Sequence, residues 1–504
     1  MSVRRGGIVL PSLAAGVLLA LSLPPFGAWP VAFLGAGLLY WRLRGLGARA
    51  RLLAGWVAGI GCFAIGLFWA QSFNWYGAVV LVLIESLSTA ATALSTPPGR
   101  GRALGFVGAA TLAEAVRMSW PFGGLPIGGV FLGQAGGPLL GSARLGGPLL
   151  LTALVWAGGV GLGELGDRVL RWRRVGRPGP LPWAGATALA LVILVGVVGA
   201  AAPDGGPAVR TRRVAAVQGG GRRGFTQFEI GQAGVFPAEL VASAPLASSP
   251  RPFDLVVWPE DVVPLAEPLS ASAEAAQLGA LARRLHATVL AGVTVTEPHA
   301  TFLNEIVAWG PAGDIVSTFE KVHRVPFGEY VPFRGFFSHL ANLSAVPRDA
   351  IPGHGSGLMR TPAGRLGVLV SYEVFFAARA RSSVRAGAQL LVVPTNTSSY
   401  SSDQMPSQEV AADQIQAVEE GRDLVQAAPT GYSTFVTNRG VLTQRTRLSV
   451  REVLTGTVAL RRGATLYERF GDLPTLVLAA LLLGAGLVVG RGGRRAGAGG
   501  SPYS

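Results

Sequence analysis

Three strand ends in the middle of this chain each finish on a residue able to do acid–base or covalent chemistry. Leu255-Val256-Val257-Trp258-Pro259 ends at Glu260, Phe319-Glu320 at Lys321, and Leu366–Val370 at Ser371. Open α/β folds place their sites at strand ends. A carboxylate, an ammonium and a hydroxyl supply a general base, a cation for a developing oxyanion, and a nucleophile. Taken singly, each has an ordinary structural reading: a surface strand cap for Glu260, a solvated side chain for Lys321, a satisfied core hydroxyl for Ser371. Lys321 stands apart because it is the only lysine; every other Lys/Arg cation in the chain is arginine. Arginine keeps its proton in a protein, whereas lysine is a compact ammonium with a tunable pKa. A site that exchanges a proton would resist the arginine bias of this sequence.

Positioning these residues requires a sheet. Between 204 and 471, β-branched runs recur at Val214–Val217, Leu255–Trp258, Val289–Val295, Leu303–Trp309, Leu366–Val370, Leu390–Val393 and Ser433–Val436. Helical stretches are expected at Ala271–His286 and Gln408–Gln426. Alternating strands and helices predict an α/β domain. Asn304–Glu320 reads as a hairpin turned at Pro311-Ala312-Gly313-Asp314, which makes the sheet mixed.

The flanking sequence belongs to a different solvent. Half of the 504 residues are hydrophobic and only 14% are charged, against about 25% in soluble domains. A helix needs about 20 apolar residues to cross a bilayer. Spans are expected near 7–23, 27–41, 53–70, 77–96, 103–119, 148–166, 183–201 and 473–490, the second pair interrupted by Gln71-Ser72-Phe73-Asn74. Glu85 falls inside a span and must face protein, water or a partner, and Glu114 and Arg117 lie three apart on one helical face of another. The net charge of +15 sits largely in arginine clusters at Arg4/Arg5, Arg42–Arg51, Arg100/Arg102, Arg168–Arg177 and Arg491–Arg495. These are the N-terminus, every second loop and the tail, so all lie on the cytoplasmic side if the spans number eight. The expected organisation is a transmembrane region of about seven helices (1–203), an extracytoplasmic domain (204–471), a last span (472–490) and a cytoplasmic tail (491–504). That use of the positive charge disfavours nucleic acid as a partner. Arg4/Arg5 and the first apolar run could imitate a signal peptide, but no small-residue cleavage site precedes Pro24-Pro25. Cys62, the only cysteine, lies in a span, and the five histidines lack metal-ligand spacing, so neither a metal nor another cofactor is expected.

At these segments the chain resembles the apolipoprotein N-acyltransferases, within the carbon–nitrogen hydrolase (nitrilase) superfamily. Val257-Trp258-Pro259-Glu260 is similar to the superfamily's glutamate motif. Lys321-Val322-His323-Arg324-Val325-Pro326-Phe327-Gly328-Glu329-Tyr330-Val331-Pro332 resembles the lysine motif of the acyltransferases in particular. Ser371-Tyr372-Glu373 stands where the family has Cys-Tyr-Glu. Pro24-Pro25-Phe26-Gly27-Ala28-Trp29-Pro30 and Trp120-Pro121-Phe122-Gly123 carry the likeness into the spanning region. The resemblance implies a multi-spanning α-helical membrane domain plus a nitrilase-like αββα sandwich, in a bacterial inner membrane. It also implies a ping-pong transfer of an acyl chain from a phospholipid to the amine of a diacylated lipoprotein. Glu260 would be the base, Lys321 the oxyanion cation and Ser371 the nucleophile, with Glu329, Tyr372, Glu373 and Asn396 supporting or positioning substrate. Pro332–Phe337 would be either an arm dipping into lipid or an ordinary packed loop.

The chain departs from the family pattern in three places. Serine replaces the nucleophilic cysteine, and a hydroxyl needs stronger activation than a thiol. Pro394-Thr395-Asn396-Thr397-Ser398-Ser399-Tyr400 keeps the asparagine but lacks the Asp-Thr-Trp-Phe-Gly continuation. Ala428-Pro429-Thr430-Gly431 stands where asparagine usually precedes the glycine. Three readings follow: an acyltransferase acting through a serine ester, a catalytically silent relative that binds lipoproteins or assists another acyltransferase, and a membrane-tethered amidase.

Overall fold

The computed structural model describes residues 6–176, 182–223, 234–339, 343–344 and 346–498. Arg4, Arg5, Arg177 and the tail beyond Ala498 lie outside the described residues, as do the side chains of Arg494 and Arg495. The chain forms two units, Met1–Ala202 with Phe470–Ser504, and Pro203–Arg469.

The first unit is helical: α1 (Gly6–Leu21), α2 (Val31–Arg42), α3 (Ala48–Gly66), α4 (Trp75–Ser95), α5 (Arg102–Arg117), α6 (Ala143–Val175), α7 (Trp183–Ala201) and, after the second unit, α14 (Leu473–Ala498). Five of the described helices, α3, α4, α6, α7 and α14, are long and apolar enough to cross a membrane; α1 and α2 are apolar but shorter. Outward-facing Val79, Val80, Ile193 and Val197 are exposed, as suits helices solvated by lipid. Polar residues turn inward. Arg117 is buried between Glu114, at 2.7 Å, and Glu85, at 3.2 Å. The same guanidinium donates to the carbonyls of Leu125, Pro126 and Ile127. Those carbonyls belong to an irregular segment after α5, whose backbone has no helical partners of its own.

The second unit is a two-sheet sandwich. Its strands are β1 (Arg210–Gln218), β2 (Leu255–Val257), β3 (Val263–Leu265), β4 (Thr288–Glu297), β5 (Thr301–Trp309), β6 (Ile315–Glu320), β7 (Asp349–Ala350), β8 (Leu358–Thr361), β9 (Gly364–Val368), β10 (Leu390–Pro394), β11 (Leu424–Ala427), β12 (Thr434–Val436), β13 (Leu442–Arg445) and β14 (Glu452–Leu460). One sheet runs β14-β1-β2-β4-β5-β6 with β3 and β7 attached, the other β13-β12-β11-β10-β9-β8. Alternate residues explain the layers. Val214, Ala216, Leu255 and Val257 face Leu366, Val368, Leu390 and Val392 between the sheets. Ala215, Val217, Val256 and Trp258 face outward onto α8 (Val235–Ser243) and α9 (Ala273–Leu285). Both faces are buried, so these strands read as unbroken apolar runs. Helices α11 (Ala377–Arg385) and α12 (Gln404–Glu420) complete an αββα sandwich; the short α10 (Arg334–Phe337) and α13 (Leu466–Phe470) lie elsewhere in the chain.

The expected hairpin is present, with β5 and β6 antiparallel. The helix expected over Gln408–Gln426 is corrected: α12 ends at Glu420, because Gly421 adopts the left-handed conformation (φ 62°) that terminates helices. Leu424–Ala427 is instead β11, parallel to β10.

Candidate active site

Glu260 sits in the tight turn after β2. The turn lies against β4, where Gly292 donates its N–H to the Pro259 carbonyl at 2.9 Å. A Cβ at position 292 would come within 2.4 Å of the Glu260 Cα, so this approach requires glycine. Lys321 follows β6 directly and is held by its neighbours' backbone: its N–H donates to the Asn304 carbonyl, and its carbonyl accepts from Gly353, both at 2.8 Å.

The three charged groups meet inside the domain. Lys321 Nζ donates to Glu260 Oε1 at 2.8 Å and to Glu329 Oε1 at 2.7 Å. The lysine is 2% exposed. Glu329 Oε2 accepts from the Val325 N–H at 2.8 Å, which folds the segment after the lysine back on itself. Burial raises the Glu260 carboxyl to about 8, with the Lys321 ammonium opposing the rise. Burial pulls Lys321 down, but Glu260 and then Glu329 outweigh it and hold the ammonium above the ordinary lysine value. The result is an ammonium held charged beside a carboxyl raised above the usual carboxylate range, which suits a general base.

Ser371 opens the turn after β9 with φ 49°. Such a conformation is uncommon for a residue with a side chain, and such strain concentrates at functional sites. Glu373 fixes this turn. Its Oε2 accepts from the Val370 N–H at 3.0 Å, and its Oε1 accepts from the N–H groups of Val322 and His323 at 3.0 and 2.9 Å. One buried carboxylate thus fastens the residue before Ser371 to the residues after Lys321. Tyr372 is buried and meets the His323 ring edge-on, while His323 stacks on Phe376 at 3.7 Å. Burial, then Arg379 and Lys321, push His323 down to about 4, so it is a neutral wall rather than a cation.

The spatial arrangement therefore unites Glu260, Lys321 and Glu329 in direct contact and ties Ser371 and Tyr372 to them through Glu373. Asn396 is half-buried just past β10. Its Oδ1 accepts from the Ser398 N–H at 3.0 Å, a local turn rather than a bond to the charged cluster.

With this geometry in place, the relatives are informative. Residues 15–160 match the apolipoprotein N-acyltransferase N-terminal domain, and residues 213–466 match carbon–nitrogen hydrolase. The apolipoprotein N-acyltransferase of Azotobacter vinelandii is 32% identical, over 97% of this chain and 96% of its own. The chain belongs to the apolipoprotein N-acyltransferase family. Its Geobacter metallireducens relative is 30% identical over 92% of each chain. The Mycolicibacterium smegmatis relative is 29% identical over 93% of this chain and 82% of its own. A solved carbon–nitrogen hydrolase from Helicobacter pylori is 16% identical, covering 53% of this chain and 95% of that one, with a TM-score of 0.38. This N-acyltransferase relative is thus an enzyme of the nitrilase superfamily, with several apolar helices ahead of its catalytic fold.

Two residues of this acyltransferase-family site escaped the sequence reading. Asn304 Nδ2 donates to both carboxylates that hold the lysine, Glu260 Oε1 at 2.8 Å and Glu329 Oε1 at 3.1 Å. Its signal was periodic: Asn304 shares the buried face of β5 with Phe302 and Ile306, a polar residue in an apolar register. Glu409, on α12, accepts a hydrogen bond from Thr395 Oγ1 at 2.5 Å and is wholly buried. Burial pushes its carboxyl up to about 7, against the Thr395 hydrogen bond and Lys321. A carboxylate pair at i and i+4 with Asp413 on a helix that otherwise looks amphipathic is a weak sequence signal.

Proposed function

We propose that this protein moves a fatty acyl chain from a phospholipid to the N-terminal amine of diacylglyceryl-cysteine in apolipoproteins, through an ester on Ser371. The observation that carries the reading is Lys321, buried between Glu260 and Glu329, with the Ser371 turn fastened beside it by Glu373. The Glu260 carboxylate removes the Ser371 proton as Oγ attacks the ester carbonyl of the phospholipid. Negative charge develops on the carbonyl oxygen and is met by the Lys321 ammonium. The ester C–O bond breaks, and Glu260 returns the proton to the departing alkoxide oxygen, giving the lysophospholipid hydroxyl. In the second half, the acceptor amine attacks the Ser371 ester, the bond to Oγ breaks, and Oγ regains its proton. Serine needs a stronger base than cysteine, and a Glu260 carboxyl raised to about 8 is a stronger base than an ordinary carboxylate.

Both substrates are lipids, which gives the helical unit its purpose. The reading places the helices in the bacterial inner membrane, 204–471 on the extracytoplasmic side and 491–504 in the cytoplasm. The arginine clusters support this orientation. Phe333 and Phe336 are 75% and 63% exposed, which supports an arm entering lipid over a packed loop.

The test is N-acylation of a diacylated lipopeptide by the full chain with phospholipid in detergent, followed by mass. Turnover abolished by Ser371→Ala is the expected result. Activity only with Ser371→Cys would mean a pocket that has lost its nucleophile. No activity in any folded version would leave the silent, lipoprotein-binding reading.

A further inference from the structure

The C-terminal end of β10 carries a second polar cluster. β9 and β10 are parallel, with Leu366 opposite Leu390 and Val368 opposite Val392. Beyond these pairs β9 runs on to the Ser371 turn and β10 to Thr395, so both lie past the same end of the sheet. Thr395 holds Glu409 Oε1, and the helix carrying Glu409 is itself fastened to the serine turn, since Gln416 Nε2 donates to the Val374 carbonyl at 2.7 Å. Among the described residues, Glu409 Oε2 has no hydrogen-bond partner, and neither do Asn396 Nδ2 and Thr397 Oγ1. Buried polar atoms are rarely left unpaired. The Glu409 oxygen, wholly buried and close to the strand end that leads from β10, is free to take up a proton or a donor group. The titratable groups acting on or acted on by Glu409 are Lys321, Tyr400 and Asp413. Glu409 is therefore a further carboxyl near the catalytic ammonium, and forming the Ser371 ester gives it nothing to do.

We propose that Glu409 receives the proton of the acceptor's α-ammonium, freeing the amine to attack the Ser371 ester. The inference rests on the acyl-transfer reading and concerns only its second half. An α-amine of ordinary pKa, about 7.7–8.0, arrives largely protonated at neutral pH and has no lone pair to offer. Transfer to the Glu409 carboxylate gives a neutral amine and a carboxylic acid. The amine lone pair forms the C–N bond, and the C–Oγ bond breaks. The second amine proton passes through Glu260 to Oγ, and Glu409 releases its proton to water as the amide leaves. With Glu409 lifted to about 7 by burial, the first transfer is close to level in energy.

The experiment separates the two half-reactions in the full chain in detergent. Ester formation on Ser371 is read by intact mass with phospholipid alone, and release is read on adding lipopeptide. Glu409→Gln, which replaces a carboxyl with an isosteric neutral group, is expected to form the ester, so that the two half-reactions can be compared within one variant. Its release by lipopeptide near pH 7 should be slower by about 100-fold, the scale of general-base catalysis. The deficit should close above roughly pH 9, where the amine loses its proton unaided. Release by hydroxylamine, uncharged at neutral pH, should match the native chain, and Glu409→Asp should restore part of the lipopeptide rate. Equal slowing of ester formation and release, or of hydroxylamine and lipopeptide, would overturn the proposal. A native chain that forms no ester overturns the acyl-transfer reading itself, a failure visible before any variant is made.

Discussion

Asn304 offers the sharpest handle on the charged cluster. Replacing it with leucine, close in volume, removes both N–H donors from Glu260 and Glu329 while leaving the backbone carbonyl that holds Lys321. A hydrogen bond to a charged group contributes about 1.5–3 kcal/mol. One pKa unit corresponds to about 1.4 kcal/mol, so losing the bond to Glu260 raises its carboxyl by about 1–2 units. The native value is already about 8. Glu260 acts as a base only when ionised, so ester formation rises with pH through that value in the native chain. In Asn304→Leu the rise moves upward by about 1–2 pH units, and the rate near pH 7 falls roughly 10- to 100-fold. The assay is the pH dependence of Ser371 ester formation from phospholipid in detergent, with folding checked by melting. A variant that loses rate at every pH, with its midpoint unmoved, would refute the assignment of Glu260 as the titrating base.

Further outcomes follow from the same coordinates. Glu239 on α8 is wholly buried, with one oxygen on the Gly219 N–H at 2.9 Å and the other without a partner among the described residues. Burial lifts it from 4.5 to about 8. Its contribution to stability is therefore fully present below about pH 4.5 and lost as pH rises through about 8, on the order of 5 kcal/mol across the window. Glu239→Gln should shrink the drop in Tm between roughly pH 5 and pH 9; an unchanged drop would show that Glu239 is not its source. Arg117→Met in the helical unit strands Glu85, Glu114 and three carbonyls, and should cost about 3–5 kcal/mol in detergent. Adding Glu85→Gln and Glu114→Gln should recover much of that; a triple variant no better than the single would assign the loss to the loop carbonyls instead.

What the sequence revealed, and what it hid, has a physical pattern. The strands around Glu260, Lys321 and Ser371 were legible because a sandwich buries both faces and writes continuous apolar runs. Lys321 was legible because the chain uses arginine everywhere else. The end of α12 was not: Arg422–Gln426 lacks a proline, and only Gly421-Arg422-Asp423, opening on the left-handed glycine, separates helix from β11. Asn304 was overlooked because it lies inside a hairpin read for its turn rather than for its faces. Glu373 was recognised as a supporting carboxylate, yet two of the backbone N–H groups it holds lie 51 and 50 residues away, at Val322 and His323, which no residue pattern encodes. The positive φ of Ser371 was equally silent, since serine does not advertise that conformation as glycine would.

The solitary lysine has a practical corollary. Lys321 is sealed in the interior, so the folded chain offers amine-reactive reagents no side chain at all. Any label that does attach to a side-chain amine reports, at one known position, that the pocket has opened. A lysine-specific protease likewise has a single place to cut, and only once the fold has let go of it. The residue that anchors the charged cluster is thereby a built-in reporter of the opening of this domain, readable without adding a probe.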